Sequence, residues 1–94
     1  MQSLSWTTCE ALSFNAAGRT ALNWALYPVL RFSDVPNSIE VHLIDRPGQP
    51  FLGVGETAHG PVAAAIANAL ADATGVRMRD LPLSPARVQA ALRT

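Results

Sequence analysis

Residues 61–75, Pro-Val-Ala-Ala-Ala-Ile-Ala-Asn-Ala-Leu-Ala-Asp-Ala-Thr-Gly, constrain the fold more than any other run in this chain. Proline suits the first helical position, where its missing N–H would have no partner, and glycine suits the left-handed residue that stops a helix. Between them Val62, Ile66, Ala69, Leu70 and Ala73 recur at helical spacing. The spacing predicts a helix over 61–74 that ends at Gly75, with alanines that let a neighbouring element approach closely. A second, shorter helix is expected over Pro85 to Arg93, with Ser84 as N-cap and Pro85 in the first turn.

The N-terminal half has a different character. Ser3 to Leu12 reads as a short helix with Leu4, Thr8, Ala11 and Leu12 on one face and Ser3 or Ser5 as N-cap. Leu12-Ser13-Phe14 looks like the start of a strand, and Asn15-Ala16-Ala17-Gly18-Arg19 carries turn chemistry. Two longer strands are expected over Trp24 to Phe32 and Ser38 to Asp45; the first is rich in aromatic and branched residues, but Pro28 within it removes a ladder donor and marks an edge or irregular point. Ser38 to Asp45 has the cleanest period of two, with Ile39, Val41 and Leu43 on one face and Glu40 and His42 on the other. The expected fold class is therefore α+β: one domain over residues 1–94, with helices covering a small antiparallel sheet.

Composition narrows the function. The 94 residues are 49% hydrophobic and 15% charged, with seven basic and seven acidic side chains. A neutral chain without a basic stripe is not expected to bind nucleic acid or an anionic membrane surface. No apolar run approaches the roughly 18 residues of a membrane span, and Met1 to Glu10 does not read as a secretory signal. A cytoplasmic location is expected. The single cysteine, Cys9, excludes an internal disulfide and a thiolate zinc cluster. His42 and His59 have no ligand pattern around them, so no metal ligands are assigned. Cys9 reads as a small buried hydrophobe. Trp6, Trp24 and Tyr27 read as core or interdomain surface, and Arg77, Arg79 and Asp80 as a solvated charged strip.

The chemistry-bearing segment is Gly53-Val54-Gly55-Glu56-Thr57-Ala58-His59-Gly60-Pro61. Glycines let a backbone approach a ligand closely and adopt conformations closed to other residues. A helix start just beyond offers unpaired N–H groups to an anion. A carboxylate held there is placed to act as a general base, although the bland reading is a glycine turn with an exposed Glu beside a helix N-terminus. The third glycine of a G-x-G-x-x-G fingerprint is missing, which disfavours a dinucleotide fold. His59 reads as a loop histidine near the helix start, and His42 as an exposed strand residue.

The order of several blocks carries a resemblance. These are Tyr-Pro-Val-Leu-Arg-Phe (27–32), Val-Pro-Asn-Ser-Ile-Glu-Val-His-Leu-Ile (35–44) and Gly-Val-Gly-Glu (53–56). Gly-Pro-Val-Ala-Ala-Ala-Ile-Ala-Asn-Ala (60–69) and Asp-Ala-Thr-Gly-Val-Arg-Met-Arg-Asp-Leu-Pro-Leu (72–83) follow. Together they resemble the C-terminal end of the large subunit of the molybdenum hydroxylases, the xanthine dehydrogenase and aldehyde oxidoreductase family. The nearest branch is that of nicotinate dehydrogenase and isoquinoline 1-oxidoreductase. Ser3 to Glu10 is similar to the family's preceding helix.

The resemblance implies the C-terminal part of a molybdopterin-binding domain and an oxidoreductase that hydroxylates N-heterocycles or aldehydes. It implies Glu56 as the base that takes a proton from a molybdenum-bound hydroxyl, with Gly53 and Gly55 as cofactor-binding residues. Partial burial beside an anionic cofactor would suit the pKa of such a base. The implied cofactor is molybdopterin in its cytosine dinucleotide form, and it is not expected to bind this chain alone, which is too short to enclose it. The expected partners of a split enzyme are the rest of the large subunit and an iron–sulfur subunit. On its own the chain is expected to be inactive and to form a homo-oligomer. The alternative readings are a non-catalytic, self-associating remnant and a small interaction module, including one that binds an anion at the start of the 61–74 helix.

Overall fold

A computed structural model describes residues 1–93. The architecture is α+β, with three helices and a two-stranded antiparallel sheet: α1 (Gln2–Thr8), β1 (Phe14–Asn15), β2 (Gly18–Arg19), α2 (His59–Thr74) and α3 (Pro85–Ala91). A single 3-10 turn at Phe32–Asp34 interrupts the long connection between β2 and α2.

The molecule is organised around α1. Ser3, Ser5 and Thr7 are buried, and Leu83 is the buried large apolar residue. A helix of small hydroxyl residues lets its neighbours approach closely, provided each hydroxyl finds a partner. Thr7 Oγ1 donates to the Ser3 carbonyl at 2.7 Å and Thr8 Oγ1 to the Leu4 carbonyl at 2.8 Å. The Ser5 hydroxyl accepts the Leu30 N–H at 3.1 Å, and the Thr7 carbonyl accepts the Leu83 N–H at 2.6 Å. Two distant stretches of chain are thereby fastened to one short helix, while α2 packs along it. The helix expected over Ser3 to Leu12 ends at Thr8, so Ala11 and Leu12 lie beyond it and are exposed instead of sharing a face with Leu4 and Thr8. Ser3 and Ser5 lie inside the helix and do not cap it, because the Ser5 hydroxyl serves Leu30 instead.

α2 begins two residues before the expected Pro61 and ends at Thr74. Gly75 takes φ +75° and its N–H bonds the Ala71 carbonyl at 2.8 Å, so the stop has the expected left-handed form. Val62, Ile66 and Leu70 are half-buried, as are Ala63, Ala67 and Ala71. Ala69 and Ala73, placed on the packing stripe by spacing alone, are exposed. α3 starts as expected, with Pro85 in its first turn and the Ser84 hydroxyl accepting the Arg87 N–H at 3.5 Å.

The hairpin forms at the expected turn. Phe14 pairs with Arg19 and Asn15 with Gly18, which sits at φ +113°, and the Asn15 side chain accepts the Ala17 N–H at 2.9 Å. Both strands are exposed.

The two longer expected strands are corrected. Within 24–32, Asn23 turns the chain: its side-chain oxygen accepts the N–H groups of Ala25 and Leu26, and its carbonyl accepts those of Leu26 and Tyr27. An asparagine that satisfies three backbone donors locally removes them from any ladder. The stretch then runs over α1 and into the 3-10 turn. Residues 38–45 keep the alternating pattern, yet among the described residues no backbone hydrogen bond reaches them. With β1 and β2 paired to each other and 24–32 turned away, they have no strand to join.

Candidate functional site

Glu56 lies on a bend just before α2, and its carbonyl accepts the His59 N–H at 3.2 Å, closing the turn into the helix. Its side chain is exposed, and among the described residues no hydrogen bond or ion pair reaches its carboxylate. Gly53 and Gly55 precede it on open chain. Neither has positive φ, and a Cβ built on either would meet nothing within 4 Å. These glycines are therefore not required by this chain's own conformation or crowding. What they provide is a bare backbone facing outward.

His59, expected as a loop residue, opens α2 and packs edge-on against Trp6, with ring centroids 4.5 Å apart and an interplanar angle of 61°. This contact ties the foot of α2 to α1 and fixes the turn that carries Glu56. No local signal in the sequence marks it, because the two residues are 53 positions apart. α2 has no side-chain N-cap and no acidic residue in its first turn.

The other singled-out residues lie elsewhere. His42 stands 3.6 Å from Glu40 in an exposed pair. Cys9 is half-buried at the end of α1, its sulfur 3.3 Å from Thr8 Oγ1. Arg77 donates to the Asn68 side chain at 2.6 Å. Trp24 is exposed and Tyr27 half-buried beside a groove shared with Trp6, which fits surface better than core. Desolvation and the neighbouring Glu10 carboxylate hold the Tyr27 phenol above its ordinary value, a pairing not foreseen from the sequence. Among the described residues, no group of three or more His, Cys, Asp and Glu is placed to hold a metal ion, and no helix is long and apolar enough to cross a membrane.

Two grooves on the surface do not include residues 53–56. One runs along Val76–Leu81 and α3, the other beside Trp6, Trp24 and Tyr27. With nothing near Gly53 or Gly55, these residues do not enclose a molybdopterin-sized group.

Comparison with known proteins gives the class: the chain is homologous to a short region of the molybdenum hydroxylases. It is 45% identical over 92 residues, 98% of its length, to one of the subunits of nicotinate dehydrogenase from Pseudomonas putida. It is 42% identical over 67 residues, 71% of its length, to the beta subunit of isoquinoline 1-oxidoreductase from Brevundimonas diminuta. The match spans 8% of the length of each relative. No family model matches the chain, and no solved structure matches it.

Proposed function

We propose that this chain serves as part of a molybdenum-dependent hydroxylase acting on N-heterocycles or aldehydes. In this reading it supplies the Glu56 carboxylate as general base to a molybdopterin centre held mainly by other polypeptide. The observation that carries the proposal is the unpartnered Glu56 carboxylate at the foot of α2, in a chain aligned over 98% of its length with part of a nicotinate dehydrogenase. A base that must meet a group on another polypeptide is best left free of partners within its own, and among the described residues Glu56 is. Gly53 and Gly55 would let the backbone before it lie close to that group. The remaining large-subunit portion and an iron–sulfur subunit are the proposed partners, and the cytoplasm the proposed compartment.

The test is reconstitution with the remaining subunits from the host, comparing the native chain with Glu56→Gln. Loss of one proton-accepting group should lower turnover by about a hundredfold or more while the complex and its molybdenum content stay intact. An assembled Glu56→Gln complex with native turnover would contradict the assignment.

A second reading has its own support. Leu43, Ile44, Phe51 and Leu52 are 89%, 82%, 97% and 87% exposed, which favours a non-catalytic, self-associating module for the chain on its own.

A further inference from the structure

We propose that two copies of this chain pair antiparallel through residues 37–45, centred on Val41 of the self-complementary run Ile39–Leu43. The segment is open: among the described residues no backbone hydrogen bond reaches 38–45, and Ile39, Val41 and Leu43 are 66%, 74% and 89% exposed. A run of unpaired N–H and C=O groups with a period-two side-chain pattern is satisfied by another strand.

The side-chain order selects a second copy and one register. In a two-fold antiparallel pair every contact occurs twice, so the sequence must be complementary to its own reverse. Ile39-Glu40-Val41-His42-Leu43 meets that condition about Val41. Val41 opposes Val41 of the second copy, Ile39 opposes Leu43, and Glu40 opposes His42, while at the margins Ser38 opposes Ile44 and Asn37 opposes Asp45. Centring on residue 40 would set Glu40 against Glu40, and centring on 42 would set His42 against His42 and Ile39 against Asp45. A shift by one residue would set apolar against charged side chains. Glu40 and His42 already share one face, 3.6 Å apart, so pairing interleaves two acids and two imidazoles. Pro36 and Pro47 lack N–H donors and bound the ladder at both ends. This pairing leaves Glu56 untouched and stands independently of the role proposed for it.

The test is sedimentation-velocity and light-scattering analysis of the full chain over a concentration series, with variants in the strand. The native chain should show a monomer–dimer equilibrium. Val41→Pro should weaken it tenfold or more with helical circular dichroism unchanged, since 38–45 touches no helix through hydrogen bonds. Glu40→Lys should weaken it about fivefold, and Glu40→Lys with His42→Glu should restore it, because the exchange again sets a carboxylate opposite a side chain that donates to it. In a Cys9→Ser background, an equal mixture of Ile39→Cys and Leu43→Cys chains should form mixed disulfides ahead of like-with-like ones. A chain monomeric at about 1 mM would overturn the proposal. So would a dimer indifferent to Val41→Pro, a charge exchange that fails to restore pairing, or open-ended oligomers in place of a closed dimer.

Discussion

Tyr27 and Glu10 show how much a single contact can reveal about this chain. Desolvation first, then the nearby Glu10 carboxylate, favour the neutral phenol and raise its pKa above the ordinary 10. The sign follows: the contact stabilises the fold at pH values below that ordinary range, and its contribution is lost as pH rises through the raised value. Because Tyr27 is the only tyrosine, an absorbance titration reads it directly. The midpoint should lie above that of free tyrosine and fall in Glu10→Gln; a midpoint at the free value would remove the contact. At this scale the sequence was partly legible. Gly18 and Gly75 were readable because their positive φ is a local demand of the turn and the helix stop. The Trp6–His59 and Glu10–Tyr27 contacts were not, because each joins residues far apart in the chain. Glu56 stood out as a residue beside a glycine turn, but its proposed role came from the family resemblance and not from its surroundings.

Among the elements, α2 offers a paired prediction in which one substitution has opposite signs at two sites. Gly75 at φ +75° should cost about 1 kcal/mol when changed to Ala, since the left-handed conformation crowds a Cβ. Gly60 lies in the first turn of α2 with open space where a Cβ would go, and Gly60→Ala should gain about 0.5–1 kcal/mol. Thermal melts followed by circular dichroism check both, and equal shifts would contradict the stated cause. The stop of α2 and the start of α3 were legible because glycine, serine and proline mark them in the sequence itself, whereas α1, expected to run to Leu12, ends at Thr8. The buried face of α1 was not, because its hydroxyls are satisfied by Leu30 and by carbonyls one turn back. Residues 38–45 show the limit of pattern reading: the alternation was correct, but a strand also needs a partner, and pattern alone cannot supply one.

On the scale of the whole molecule, surface dominates. A compact 94-residue domain has a radius of gyration of about 12 Å and roughly 5,200 Å² of accessible surface. This chain has 17.0 Å and 7931 Å². Every residue of 35–58, the stretch that leads into Glu56, is exposed, Phe51 to 97%. Small-angle scattering from a dilute, monomeric sample should give a radius near 17.0 Å, and a value near that of a compact domain would contradict the open arrangement. The sequence indicated an α+β fold but not this openness, because the apolar residues of 39–54 look alike whether they face a core or another polypeptide. The most direct measurement is a tagged pull-down from the native host with molybdenum quantified by elemental mass spectrometry. Molybdenum recovered with a stoichiometric large partner is the predicted result; recovery of the chain with neither metal nor partner would contradict the proposed function.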